Sequence, residues 1–174
     1  VGEDSWSKVL LRRDGDLPLP ETALPPGFTI RPLAGADEVD AYVALHQAVF
    51  QSKNMTAAWR ARTLARPEYL PDLDLLAVAP DGRLAAFCIC WLNRTPSGAI
   101  TGQVEPLGVH ADFQRLGLGR TILVEGLRRL RDHGAASVAV ETDNYRDAAF
   151  ALYTGVGFQV VEDVLVFRKE YDGL

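Results

Sequence analysis

One stretch limits what this chain can fold into: Gln114-Arg115-Leu116-Gly117-Leu118-Gly119-Arg120. An apolar run, Val104-Glu105-Pro106-Leu107-Gly108-Val109, precedes it. A segment with apolar residues at helical spacing, Ile122, Leu123, Leu127 and Leu130, follows it. The pattern is strand, glycine turn, helix. Such a turn aims several backbone N–H groups one way, and the helix adds unpaired N–H donors and the positive end of its dipole. Together they form an anion site suited to phosphate, with Arg115 and Arg120 adding charge at its rim.

Three glycine-loop patterns compete. A P-loop needs four residues between its glycines followed by Gly-Lys-Ser/Thr, a string absent here. A dinucleotide fingerprint needs a third glycine where this chain has Ile122, although Glu141 is placed for its ribose-binding acid. The third pattern is Gln/Arg-x-x-Gly-x-Gly/Ala, matched by Gln114, Gly117 and Gly119. It resembles the cofactor motif of the GCN5-related N-acetyltransferases, the GNAT superfamily. The resemblance extends upstream to Val109 at the end of the strand, and downstream to Ala149, Tyr153 and Gly157-Phe158. It is strong from about residue 100 to 171. Residues 27–95 share only the family's order of elements. Two positions depart from the pattern: Ala111 stands where the family often has proline, and Arg146 where it often has asparagine. Asn144 is the nearest asparagine, read either as a cofactor contact or, with Asp143, as a helix cap.

The resemblance implies an acetyltransferase using acetyl-CoA. It implies that the main chain of Gln114, Arg115, Leu116, Gly117, Leu118, Gly119 and Arg120 holds the pyrophosphate, with the Leu116 and Leu118 side chains packing inward. It implies that Leu107 and Val109 pair with the pantetheine arm where their strand splays from its neighbour, an irregularity that Pro106 and Gly108 suit. Asn144, Ala149 and Tyr153 complete the implied cofactor set. Tyr153 is implied as the general acid for the departing thiolate; its alternative is a core tyrosine. Glu105 is read as a partly buried general base, as an anchor for the substrate ammonium, or as a solvated strand residue. Alternation puts Gln103 and Glu105 on one face. His110 is a second base candidate; His46 reads as core and His133 as a cation at a helix C-terminus. Acceptor recognition is expected from the first two helices, the loop Phe50–Met55 and the final hairpin, with Trp59, Tyr69 and Trp91 as aromatics able to line a pocket.

Further along the chain, 28–31 reads as a strand, 36–50 and 56–66 as helices with Thr56 capping the second, and 73–78 and 84–92 as strands joined at Asp81-Gly82. Strand 99–109, helix 117–133 stopped by Gly134, strand 137–141 and helix 146–155 follow. Residues 158–162 and 164–171 close the chain as a hairpin. The class is α/β of the α+β kind. The resemblance makes it a GNAT fold: a mixed, mostly antiparallel sheet of six to seven strands, flanked by about four helices and splayed at the fourth and fifth strands of the family's order.

Residues 1–16 stand outside that series as an N-terminal strand, 17–27 form a proline-rich linker, and 28–174 form the acetyltransferase domain. Glu3-Asp4, an apolar strand, Arg12-Arg13 and Asp14-Gly15 resemble the chain's own end from Glu162 to Gly173. Residues 1–16 therefore read as the tail of a preceding domain in a tandem GNAT protein, or as an ordinary N-terminal edge strand. An upstream GNAT domain or a homodimer is the partner expectation.

At net charge −5 there is no basic footprint for nucleic acid, and a mildly acidic surface suits a small cationic amine acceptor. No apolar run spans a bilayer and no leader pattern opens the chain, so a cytoplasmic location is expected. Cys88 and Cys90 point to one face of a strand as reduced core or pocket-lining residues, with no metal site and no placement for an acyl-enzyme. The expected activity is direct acetyl transfer in a ternary complex. The alternatives are a silent acyl-CoA-binding module, and a nucleotide-binding fold that would need a parallel sheet.

Overall fold

The structure, a computed structural model, describes residues 5–143 and 147–167. The strands are β1 (Ser5–Asp14), β2 (Thr29–Pro32), β3 (Asp74–Val78), β4 (Leu84–Arg94), β5 (Ile100–Val109), β6 (Ser137–Asp143) and β7 (Gln159–Phe167). The helices are α1 (Val39–Phe50), α2 (Ala57–Leu64), α3 (Leu118–Asp132) and α4 (Asp147–Thr154). The strands form one seven-stranded sheet in the order β2-β3-β4-β5-β6-β1-β7. Among the described residues, only β5 and β6 pair in parallel; every other neighbour is antiparallel. That pattern rules out the doubly wound nucleotide-binding alternative.

Local signals act where the sequence places them. The Thr56 hydroxyl accepts the Trp59 N–H and starts α2. Gly82 at φ 85° closes the β3–β4 hairpin, and Gly134 at φ 83° ends α3.

The core lies on both faces of the sheet. On one face, Leu118, Ile122, Leu123, Leu127 and Leu130 of α3 cover Leu75, Ala77, Cys88, Cys90, Val104, Val138 and Val140. Cys88 and Cys90 do share this face, with sulfurs 3.8 Å apart. A Cβ on Gly126 would lie 2.9 Å from the Cys90 sulfur, so glycine lets α3 sit down on the pair. On the other face, Tyr42 and Leu45 of α1 pack on Leu33, Leu76, Phe87 and Ile89. His46 joins this cluster as expected, its ring stacked on Phe87 at 5.5 Å.

Burial, and secondarily the Arg60 charge, lowers the His46 pKa below its ordinary 6.5. The unfolded chain then binds the proton more readily than the folded one, so the stability this neutral ring contributes is complete above pH 6.5 and is lost as the pH falls below it. Melting temperature should therefore drop between about pH 7 and pH 5, and His46→Leu should flatten that slope. An unchanged slope in the variant would assign the pH response to other groups.

Two expectations about the chain ends are revised. Residues 5–14 do not form an edge strand. They lie inside the sheet, with Leu11 opposite Val140 of β6 and opposite Val160 of β7. Nor does a hairpin close the chain over the described residues. A single strand, β7, runs through Glu162 and Asp163, opposite Leu10 and Val9. A continuous β1 edge needs a continuous partner, and a register shift between Leu10 and Leu11 takes up the irregularity that resembled a turn.

Buried Arg13 ties this arrangement together. Its guanidinium donates to the carbonyls of Val156 at 2.8 Å, Asp14 at 2.9 Å, Leu17 at 3.0 Å and Pro18 at 2.8 Å. Strand, linker and the turn after α4 are joined through one side chain. The linker then runs past α3, where the Thr121 hydroxyl donates to the Ala23 carbonyl at 3.4 Å.

Candidate active site

The site begins where β5 and β6 part. They pair only at Thr101–Ser137, Gly102–Val138 and Gln103–Ala139. Further on, β5 bulges: Val104 lies opposite Cys90 and Leu107 opposite Cys88, leaving Glu105 and Pro106 between. Proline has no N–H for a ladder, so the break falls there naturally.

Past the bulge, the His110 N–H donates to the Ala85 carbonyl of the β4 side at 2.8 Å. Backbone groups alternate sides along an antiparallel strand. Gly108 therefore also faces β4, and the N–H and C=O groups of Leu107 and Val109 face the gap toward β6. Both residues are half-buried. Gly108 is required by packing: its Cβ would lie 2.5 Å from Val49 Cγ1 and 2.7 Å from Phe87 Cζ.

The glycine turn adjoins this gap. Arg115 takes φ 61° and Gly117 takes φ 79°, two left-handed residues in a chain of three. Alternation of this kind points successive N–H groups into a concavity. Gly117 is the N-cap of the 15-residue α3. The first helical bond runs from the Thr121 N–H to the Gly117 carbonyl at 3.0 Å, so the N–H groups of 117–120 lie ahead of the helical ladder. A Cβ on Gly119 would lie 3.4 Å from Val109 Cγ2 and 3.7 Å from Leu152 Cδ2. Three elements thus converge on Gly119: the end of β5, the start of α3 and the face of α4. Donors gathered at the head of a helix suit an anionic ligand.

The side chains of the turn part company. Leu118 packs inward as expected, at 1% exposure. Leu116 does not; it is 45% exposed, because it precedes the helix and lies off the face that α3 buries. Arg120 also serves the fold, donating to the Gly155 carbonyl beyond α4 at 3.0 Å. Gln114 and Arg115 are exposed at the rim.

Tyr153 is on α4 and 6% exposed, edge-on to Phe158 with ring centroids 5.6 Å apart. Ala149 and Leu152 pack against the same core from the same helix. Asn144 falls outside the described residues.

Glu105 is not partly buried. Its carboxylate is exposed on the face away from α3, where the Gln103 amide donates to it at 2.9 Å. That bond bears out the shared face of the two residues. The Trp91 indole N–H donates to the Glu105 carbonyl at 2.9 Å, holding the backbone at the bulge. His110 Nδ1 accepts the Asp112 N–H at 3.2 Å and so caps the short turn before residue 114. His133, at the end of α3, meets Asp72 at 2.7 Å.

Sequence reasoning missed one feature altogether. Arg60 of α2 is 1% exposed and pairs with the fully buried Asp74, whose carboxylate also accepts the Tyr69 hydroxyl at 2.7 Å. A helical arginine ordinarily signals solvent, and nothing in the local pattern marks this one as buried. Trp59, by contrast, is 52% exposed on the same helix.

A mixed sheet splayed beside a glycine-headed helix is the arrangement of acetyl-CoA-dependent N-acetyltransferases. The sequence profile of the acetyltransferase (GNAT) family matches residues 39–158, and the chain belongs to that family. A mycothiol acetyltransferase of Salinispora tropica is 35% identical over 153 residues, covering 85% of this chain and 50% of the relative. The chain thus spans about half the length of the curated relatives it matches. Among solved structures, a GCN5-related N-acetyltransferase from Sphaerobacter thermophilus superposes with TM-score 0.76 at 24% identity, over 92% of this chain and 50% of that one. The NatC complex bound to Gag peptide and CoA superposes with TM-score 0.66 at 17% identity, over 78% of this chain and 86% of the matched one. Among the described residues, no helix is long and apolar enough to cross a membrane.

Proposed function

We propose that this domain moves an acetyl group from acetyl-CoA to a primary amine by direct attack within a ternary complex. The observation that carries the reading is the gap between β5 and β6 opening beside the N–H groups of 117–120. When bound, acetyl-CoA supplies an activated acetyl thioester. The turn amides would hold its pyrophosphate, and the Leu107 and Val109 backbone its amide-bearing arm as a further strand would. The Val109 N–H would polarise the acetyl carbonyl.

Glu105 would take a proton from the amine, directly or through water, and Tyr153 would give one to the departing thiolate. The new bond is C–N and the broken bond is C–S. Direct transfer is supported by the cysteines: both are buried, and contact with Cys90 together with burial pushes the Cys88 thiol well above its usual range. A thiol held in that state is a poor nucleophile.

The names of the curated relatives put amines of the mycothiol kind first among acceptors to try. Their length, about twice that of this chain, supports reading β1 as a strand contributed across the junction of a tandem protein. Release of free thiol from acetyl-CoA over a panel of amines tests the assignment. At least one amine should stimulate release. Coenzyme A binding without release for any amine would favour a silent binding module instead.

A further inference from the structure

We propose that the buried Arg60–Asp74 pair is the positioning element of the acceptor half of the site, holding α2 so that Arg66 lies over Trp91 and Trp91 holds the Glu105 backbone. The inference rests on the acyltransferase reading.

The observation behind it is how α2 is attached. This helix has eight residues, too few to be stable alone, and its one buried residue is Arg60. Most of its other side chains are exposed, Trp59 among them. An apolar stripe would hold a helix without fixing its register, whereas a guanidinium has directional demands. Arg60 donates to Asp74, and its guanidinium carbon lies 3.9 Å from the centre of the Tyr42 ring. Asp74 heads β3, where its carbonyl accepts the Leu33 N–H at 2.8 Å. The carboxylate and the ring therefore set α2 against both β3 and α1.

The pair is a poor source of stability. Arg60 Nε, Asp74 Oδ1, Tyr42 Oη and His46 Nδ1 are buried without a hydrogen-bond partner among the described residues. Incompletely satisfied buried charges cost more than an apolar contact of the same volume. What the pair supplies is a fixed geometry.

That geometry leads to the site through a chain of side-chain and backbone contacts. The Tyr69 hydroxyl binds Asp74, and the Tyr69 N–H donates to the Arg66 carbonyl at 3.1 Å. The Arg66 guanidinium stands 5.9 Å from the Trp91 ring centre. Trp91 lies opposite Gln103 and donates to the Glu105 carbonyl. Trp91, Gln103 and Glu105 share the face turned from α3, where an amine would approach Glu105.

The test uses the full chain carrying Arg60→Met with Asp74→Leu, an apolar exchange that leaves no buried charge unpaired, and Arg60→Lys beside it. The amine is whichever of L-cysteine amide, glucosamine and spermidine the wild-type protein acetylates best. In the double variant, KM for the amine should rise about tenfold, with the coenzyme A Kd within about twofold of wild type. Arg60→Lys, which keeps the charge, should recover part of the loss. An unchanged amine KM overturns the proposal, as does parallel loss of coenzyme A affinity, which would make the pair a general fold support. If the wild-type protein binds coenzyme A yet acetylates none of the three, the acyltransferase reading fails for these amines. Hydrogen exchange over residues 57–66 then decides the clasp: faster exchange in the double variant with α3 unaffected supports it, and unchanged exchange overturns it.

Discussion

Gly119→Asp should weaken coenzyme A binding about 100-fold while leaving the protein folded. The backbone at this position accepts a side chain: a Cβ would meet Val109 and Leu152 at 3.4 Å and 3.7 Å, tight at the first and ordinary at the second. A carboxylate in the first turn of α3 also suits the helix dipole, which favours negative charge there. The fold therefore loses little, and thermal melts should stay close to wild type. The ligand loses its place, because the new carboxylate sits among the N–H groups meant for phosphate and repels a second anion. Gly119→Ala, without the charge, should cost about tenfold through crowding alone. Calorimetric titration with coenzyme A measures both. Wild-type affinity in Gly119→Asp would mean that the pyrophosphate is held elsewhere.

Tyr153→Phe should lower turnover by about 100-fold, within the range for removing a general acid. The tyrosine ring packs edge-on to Phe158 in the core, and phenylalanine keeps that packing. Coenzyme A should still bind, since the proposed cradle is main chain on α3 and β5. A loss confined to kcat separates a proton donor from a core residue. Full turnover in the variant would reject the role, leaving the thiolate to depart unaided or to be protonated by water.

The backbone of the candidate site was legible wherever its geometry is local. Gly117 and Gly119 mark a turn whose dihedrals depend on residues three and four apart, and the same holds for the cap at Thr56 and the hairpin at Asp81-Gly82. The break in β5 could be read from Pro106, because a missing N–H is a property of the residue itself. For Glu105 the sequence set the face and left the burial open: alternation sets the face, but only neighbouring elements set exposure. The inward reading of Leu116 failed for the same reason, since being inside depends on where the helix begins.

The sequence by itself determined a strand, a glycine turn and a helix that together could grip an anion, along with the family to which that turn belongs. Tertiary structure decided the rest. It put residues 5–14 between β6 and β7, ran β7 straight past Asp163, turned Arg120 to the Gly155 carbonyl and buried Arg60 on Asp74. The physical reason is range. Turns and caps are settled by bonds a few residues long, whereas Arg13 finds its Val156 acceptor 143 positions away. Strand order and the burial of a charge depend on partners that only the folded chain brings within hydrogen-bonding distance.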